Sequence, residues 1–132
     1  MSIRVLVVDD HESVRKGVCA ILSSRKDVEI CGEASNGKDA VSKADSLKPQ
    51  IIIMDISMPI MDGISATREI LNSSPDTAIV MLSMHNSKEM VENAKRIGAR
   101  AFVTKAQAGA ALLQALDSAL RGEPFFPTPS PA

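Results

Sequence analysis

The chain has 132 residues, of which 45% are apolar and 23% are charged, and its formal net charge is −1. These values are ordinary for one soluble globular domain with a core large enough to fold alone, and the weak charge argues against long-range attraction to nucleic acid or to an anionic membrane. Because the sequence has no apolar stretch typical of a signal peptide or of a membrane span, we expect a cytoplasmic protein.

Five short apolar runs alternate with five stretches of helical periodicity. The runs predict strands at Ile3–Val8, Val28–Ala34, Ile51–Met54, Ala78–Ser83 and Ala101–Thr104. Continuous Val and Ile runs are typical of parallel strands that are buried on both faces. Regular alternation predicts right-handed βαβ crossovers and an α/β fold, a single doubly wound (βα)5 domain with helices on both faces of a parallel sheet. For five strands the usual order is 2-1-3-4-5.

The helical stretches carry recognisable boundary residues. Asn36 and Asp62 precede the second and third stretches, and we expect both side chains to cap them. Gly122 and Pro124 end the fifth stretch. These boundary residues therefore support separate helices for the second, third and fifth stretches.

The end of the chain differs from the rest. Four prolines after Gly122 disfavour regular structure, so we expect a domain at residues 1–122 and a proline-rich linker or tail at residues 123–132. Phe125 and Phe126 are expected to hold the start of this tail against the last helix.

Acidic residues follow two of the predicted strands. Asp9 and Asp10 come directly after the first strand, and Asp55 directly follows the third. In the order 2-1-3-4-5 these strands are neighbours at the switch point, and ligands of open α/β sheets bind at the carboxyl ends of the strands. Three carboxylates at one place repel one another unless a cation lies among them. The sequence therefore predicts a divalent-metal site with one carboxylate left free for chemistry.

Two further polar residues lie at the tips of the last two strands, Ser83 after the fourth and Lys105 after the fifth. Three carboxylates, a hydroxyl and an ammonium group in one cleft suit phosphoryl transfer to a carboxylate. Mg²⁺, or Mn²⁺ in its place, prefers oxygen ligands and would bridge the acids and the phosphoryl oxygens. Asp55 would be the nucleophile, Lys105 would neutralise a phosphoryl oxygen, and Ser83 would donate a hydrogen bond to another.

Four motifs resemble those of bacterial response-regulator receiver domains. They are Val-Val-Asp-Asp at 7–10, Met-Asp-Ile-Ser-Met-Pro-Ile-Met-Asp-Gly at 54–63, Leu-Ser at 82–83 and Gly-Ala-Arg-Ala-Phe-Val-Thr-Lys at 98–105. The resemblance covers residues 2–122, and it implies a flavodoxin-like fold and phosphorylation of Asp55 by a sensor histidine kinase. It further implies that Asp10 binds Mg²⁺ directly, Asp9 through water, and Ser57 through its backbone carbonyl. Such a domain is no enzyme beyond its own Mg²⁺-assisted phosphorylation and dephosphorylation.

The same resemblance implies a conformational switch formed by Ser83 and Phe102. On phosphorylation Ser83 would move towards the phosphoryl group and Phe102 would rotate inward, which changes the surface of the fourth helix, fifth strand and fifth helix. A phosphorylation-dependent dimer is one output that such a surface allows. Ser57 and His85 are candidate modulators of the phosphate lifetime, although each is also explained as an ordinary exposed residue.

Three further segments resemble receivers of the NarL/FixJ type, which precede a helix-turn-helix domain. The segments are Asp-Asp-His at 9–11, Leu-Ser-Met-His at 82–85 and Gly-Glu-Pro-Phe-Phe-Pro at 122–127. No helix-turn-helix sequence follows here, so we expect an output domain outside this chain and no direct nucleic-acid binding by this segment.

The sequence departs from the family pattern after Lys105. The family commonly has proline at that place, whereas this chain has Ala106. Because a cis bond before a residue other than proline is costly, we expect a trans bond or a strained one. Ser83 replaces the more frequent threonine but keeps the hydroxyl group.

Two alternatives stay open at this point. A stand-alone receiver would signal by protein contact or pass the phosphoryl group onward. A metal-dependent phosphatase of the haloacid-dehalogenase type would need a second aspartate two residues after the nucleophile, and Ser57 stands there instead.

Overall fold

A computed structural model describes residues 2–127 of the chain. Five parallel strands form one sheet, with the bounds β1 Ile3–Val8, β2 Val28–Ala34, β3 Ile51–Asp55, β4 Ala78–Ser83 and β5 Ala101–Thr104. Their order is β2-β1-β3-β4-β5, which confirms the predicted doubly wound fold. The only difference from the predicted strands is that β3 includes Asp55 as its last residue.

Five helices connect the strands and follow the last of them, with the bounds α1 Glu12–Ser23, α2 Gly37–Leu47, α3 Gly63–Ser73, α4 Lys88–Arg96 and α5 Ala108–Leu120. The two predicted caps are confirmed. The Asn36 side chain accepts a 2.8 Å hydrogen bond from the Asp39 N–H, and the Asp62 side chain accepts one of 2.8 Å from the Ser65 N–H. Among residues 2–127, none of the helices is long and apolar enough to cross a membrane.

The core consists of two apolar layers, one on each face of the sheet. Successive side chains of a strand point to opposite faces. Val7 and Ile53 therefore lie in the layer beneath α1 and α5, while Val8 and Met54 lie in the layer beneath α2, α3 and α4. Every residue of β3 and β4 is buried because helices cover both faces. This doubly covered sheet is the rigid base on which the strand tips are presented.

A 3-10 turn at Lys105–Gln107 joins β5 to α5. No cis peptide bond occurs in the described part of the chain, so the bond between Lys105 and Ala106 is trans. Of the two outcomes that the sequence left open for this bond, the trans form is the one observed. Lys105 is the first residue of the 3-10 turn.

The start of the tail contacts the sheet as well as the last helix. Phe102 N–H donates a 2.9 Å hydrogen bond to the Phe125 carbonyl, and Phe125 forms a parallel bridge with Ala101. The prediction named only the last helix and was incomplete, because β5 is an edge strand whose free backbone groups can pair with another segment. Phe126 packs on the opposite layer, where Lys95 lies 5.0 Å from its ring. Of the predicted tail, residues 128–132 lie outside the described residues.

Candidate functional site

Strand register explains why two of the acids share one face of the sheet. In the parallel pair of β1 and β3, Val7 is opposite Ile53 and Val8 is opposite Met54. Asp9 and Asp55 each lie two residues after Val7 and Ile53, so the two-residue period of a strand places both carboxylates on the same side. Both acids are buried. Two like charges are thus held close together in a place that excludes water.

Lys105 lies against these two carboxylates. Its ammonium nitrogen is 2.9 Å from Asp9 Oδ2 and 3.4 Å from Asp55 Oδ1. Burial alone lowers the pKa of Lys105, but the hydrogen bond to Asp9 and the charge of Asp55 outweigh it and raise that pKa above its ordinary value. The lysine therefore remains a cation next to Asp55.

Asp55 has an unusual acidity. Burial is the main cause that raises the pKa of Asp55 from 3.8 to about 6, and the negative charge of Asp9 adds to it. The Lys105 charge acts in the opposite direction but offsets only part of this effect. A carboxylate whose pKa is raised by burial and by a like charge is a frequent mark of a functional site.

The four residues Asp9, Asp10, His11 and Asp55 offer metal-ligand atoms that all lie within 4.8 Å of one another. The buried oxygens Asp55 Oδ2 and Asp10 Oδ1 accept no well-aligned hydrogen bond among residues 2–127, although His11 Nδ1 lies 3.1 Å from Asp10 Oδ1. Because an unpaired buried carboxylate oxygen is costly, these atoms are suited to a cation rather than to a closed hydrogen-bond network. Carboxylate oxygens are also the ligands that hard divalent cations prefer. The residues present therefore fit a divalent metal ion.

Ser83 lies at the tip of β4, one residue after Leu82, which pairs with Asp55. Its hydroxyl is buried, donates to the Met90 sulfur at 3.3 Å and accepts from the His85 N–H at 3.2 Å. The hydroxyl thus faces α4, and it must turn to reach a group bound to Asp55. His85 and Ser57 are both exposed, and their roles as modulators stay predictions.

The position of Phe102 in the structure differs from the expected switch in one detail. The ring is only 1% exposed and belongs to the layer beneath α2, α3 and α4. The predicted inward rotation therefore cannot begin from this conformation. The physical reason is that an apolar ring has no hydroxyl to hold it at the surface, and burial of its area is favourable. A switch role for Phe102 stays a prediction.

Two residues around the site were not assigned a role from the sequence. His11 lies among the acids, and its position directly after Asp10 was the available signal. Gly63 lies against the backbone of Asp55: a Cβ atom there would overlap the Asp55 carbonyl oxygen and lie 2.9 Å from the Asp55 carbonyl carbon. The place of this glycine in the motif at 54–63 gave no indication of that contact.

Comparison with known proteins agrees with this geometry. Residues 5–117 match the family model described as the response regulator receiver domain. The chain is 40% identical over 126 residues to the response regulator protein VraR of Staphylococcus epidermidis, a match that covers 96% of this chain and 60% of VraR. The chain thus spans about 60% of the length of this curated relative.

Solved structures give the same result. A two-component response regulator of the LuxR family from Aurantimonas superposes with a TM-score of 0.90 at 30% identity, covering 95% of this chain and 89% of that one. The receiver domain of the putative response regulator NarL from Mycobacterium tuberculosis superposes with a TM-score of 0.87 at 29% identity, covering 92% and 98% of the two chains.

A doubly wound sheet with an acidic cluster and a lysine at the tips of its strands defines a receiver domain of two-component signalling. The chain belongs to the response regulator receiver domain family. Within this family it is similar to regulators of the NarL and LuxR type.

Proposed function

We propose that Asp55 accepts a phosphoryl group from a sensor histidine kinase in the cytoplasm, and that Mg²⁺ or Mn²⁺ is required. The single observation that carries this proposal is the contact of buried Asp55 with Lys105 at 3.4 Å inside a cluster of metal-ligand atoms. A nucleophilic carboxylate, a fixed cation and a place for a divalent ion are the parts that phosphoryl transfer needs.

Each side chain has a distinct role in this proposal. Asp10 and Asp55 would hold the metal directly, Asp9 would hold it through water, and Ser57 would contribute its backbone carbonyl. When bound, the metal neutralises negative charge on the phosphoryl oxygens as they approach the carboxylates. An Asp55 oxygen forms the new bond to phosphorus while the bond from phosphorus to the donor breaks. Lys105, which Asp9 orients at 2.9 Å, then stabilises the charge of the transferred group.

Phosphorylation would be transmitted through the tip of β4. The added group brings nearly two negative charges and new acceptor oxygens to Asp55. The Ser83 hydroxyl would leave the Met90 sulfur and donate to the phosphoryl group, which removes a contact between β4 and α4. Phe102, in the neighbouring strand, would adjust its packing in response. The result is a two-state surface formed by α4, β5 and α5.

The proposed readout of this surface is an output domain that binds DNA and is not contained in residues 1–132. In this proposal residues 1–122 form the receiver and residues 123–132 form a linker, and a phosphorylation-dependent dimer is one consequence of the altered surface. The chain itself neither binds nucleic acid nor catalyses a reaction beyond its own phosphorylation and dephosphorylation. The proposal of a further domain is supported by the length of VraR, which extends beyond the 60% that this chain matches.

The proposal is tested by incubation with acetyl phosphate and Mg²⁺, followed by intact mass measurement. We expect one added phosphoryl group in the wild type and none in Asp55→Asn or in the presence of EDTA. Asp45→Asn is the matched control, because Asp45 is 81% exposed on α2 and should not affect the adduct. An adduct that persists in Asp55→Asn would show that another residue is the acceptor.

A further inference from the structure

A histidine lies at the rim of the acidic cluster. His11 precedes the first turn of α1 and its backbone N–H donates a 2.9 Å hydrogen bond to Asp9 Oδ1, which holds the residue at the mouth of the site. Its Nδ1 atom is 3.1 Å from Asp10 Oδ1 and 3.4 Å from Asp9 Oδ1. The side chain is 64% exposed, so the imidazole borders solvent at the rim of the cluster.

These distances are close to the spacing of neighbouring ligands on one metal ion. Two adjacent ligands of an octahedral ion, each bonded at about 2.1 Å, are about 3.0 Å apart. The nitrogen and the carboxylate oxygens of the cluster all lie within 4.8 Å of one another, which allows a single ion to contact several of them. The arrangement of His11 and Asp10 is therefore compatible with a shared metal.

A second observation points to a ligand at this place. The Asp55 side chain is only 4% exposed, and its Oδ2 atom has no hydrogen-bond partner in the part of the chain that the structure describes. A buried carboxylate oxygen without a partner is costly. Asp55 belongs to the same group of ligand atoms as His11.

We propose that His11 Nδ1 is a direct ligand of the divalent metal, and that this nitrogen shifts the preference of the site towards later first-row ions such as Ni²⁺ and Zn²⁺. Oxygen ligands alone suit Mg²⁺ and Mn²⁺, whereas imidazole suits Zn²⁺, Ni²⁺ and Cu²⁺. Mg²⁺ gains little from a nitrogen ligand because it is a hard ion that prefers oxygen. The inference rests on the proposed function only in placing a metal at Asp10 and Asp55.

A simpler role for His11 makes a different prediction. If the imidazole only donates a hydrogen bond to Asp10, its removal changes the affinity for every divalent ion by a similar factor. If it is a ligand, its removal weakens Ni²⁺ and Zn²⁺ much more than Mg²⁺. The ratio of the Ni²⁺ affinity to the Mg²⁺ affinity, compared before and after removal of the imidazole, therefore distinguishes the two roles.

The test is calorimetric titration of the untagged chain with Mg²⁺ and, separately, with Ni²⁺. We expect His11→Ala to weaken Ni²⁺ binding by at least about tenfold to a hundredfold, because loss of an outer-shell partner of a metal ligand already costs that much, and to leave Mg²⁺ binding nearly unchanged. His11→Asn keeps an amide that can donate to Asp10 but has no imidazole nitrogen, so it should behave like His11→Ala.

Two further variants identify the site. The chain has two histidines, so His85→Ala is the matched control and should leave both affinities unchanged. Asp10→Asn should weaken both metals, because it removes a ligand that they share. In the Zn²⁺-loaded protein, the imidazole ¹⁵N resonances of His11 should shift while those of His85 remain in place.

The outcomes separate this inference from the proposed function. A wild type that binds Mg²⁺ but shows the same ratio of Ni²⁺ to Mg²⁺ affinity after His11→Ala overturns the inference and leaves the proposed function intact. Ni²⁺ binding that survives Asp10→Asn also overturns it, since the ion would then lie elsewhere. A wild type that binds neither ion contradicts the metal requirement of the proposed function as well.

Discussion

Asp55→Asn should stabilise the metal-free protein by about 2–3 kcal/mol at neutral pH, even though it removes the proposed phosphoryl acceptor. Burial first, and then the charge of Asp9, raise the pKa of Asp55 from 3.8 to about 6. Each pKa unit corresponds to about 1.4 kcal/mol, so ionisation of this buried group opposes folding. Asparagine has nearly the same shape and carries no charge.

The pH dependence of this effect has a defined sign. Since the folded protein holds the Asp55 proton more tightly than the unfolded chain, the wild type loses stability as the pH rises from 3.8 to about 6. Below pH 3.8 residue 55 of the wild type is protonated in both the folded and the unfolded state. The difference in the free energy of unfolding between the wild type and Asp55→Asn should then nearly vanish. Above about pH 6 this difference in the free energy of unfolding should be constant.

The measurement is urea denaturation in EDTA at a series of pH values, followed by far-ultraviolet circular dichroism because the chain has no Trp or Tyr. Asp45→Asn is the control, since its carboxyl group is exposed on α2. A difference between Asp55→Asn and the wild type that is independent of pH would contradict the assigned acidity of Asp55.

Mg²⁺ should offset most of the stability advantage of the asparagine variant. A ligand that binds only the folded state stabilises it by about 2.7 kcal/mol when its concentration is a hundred times its dissociation constant. The wild type should gain this stability, whereas Asp55→Asn lacks one proposed metal ligand and should gain less. The charge that destabilises the metal-free protein is therefore the same charge that is proposed to bind the metal.

The sheet and the positions of the acids could be predicted from the sequence because both follow from short-range patterns. The run Ile51–Met54 is apolar at every position, as a strand covered on both faces requires. Once the strand order is assumed, the tips of β1 and β3 must be neighbours. The proximity of Asp9 and Asp55 thus depends on the strand order and not on side-chain conformation.

The contacts of the Lys105 and Ser83 side chains could not be predicted, because they depend on packing between distant parts of the chain. Lys105 lies nearer to Asp9, at 2.9 Å, than to Asp55, at 3.4 Å. The Ser83 hydroxyl bonds to the Met90 sulfur of the next helix. Both contacts depend on rotamers, and a strand-and-helix pattern specifies where a side chain starts but not where its last atoms point.

Gly63→Ala should lower the free energy of unfolding by at least about 2–3 kcal/mol, the upper part of the usual cost of overpacking. A Cβ atom at this position would overlap the Asp55 carbonyl oxygen and lie 3.0 Å from the Cα of Ile56. These are backbone atoms, which cannot rotate away. The Gly63 N–H also donates a 2.8 Å hydrogen bond to the Ile56 carbonyl, which holds the start of α3 against the end of β3.

Gly17→Ala is the matched control for this substitution. Gly17 lies inside α1 and a Cβ atom there would meet nothing within 4 Å. Because glycine inside a helix is less favourable than alanine by about 0.5–1 kcal/mol, this variant should be slightly more stable than the wild type. Urea denaturation followed by circular dichroism measures both variants under the same conditions.

The consequence of Gly63→Ala should extend from stability to chemistry. The atoms that must move belong to Asp55 itself, so the fraction of the protein that still folds should accept the phosphoryl group from acetyl phosphate more slowly than the wild type. Gly17→Ala should react at the wild-type rate. If Gly63→Ala retained both wild-type stability and wild-type phosphorylation, the close approach of α3 to β3 would have no part in positioning the acceptor. The absence of a side chain at residue 63 is thus, on this account, a requirement of the phosphorylation site as well as of the fold.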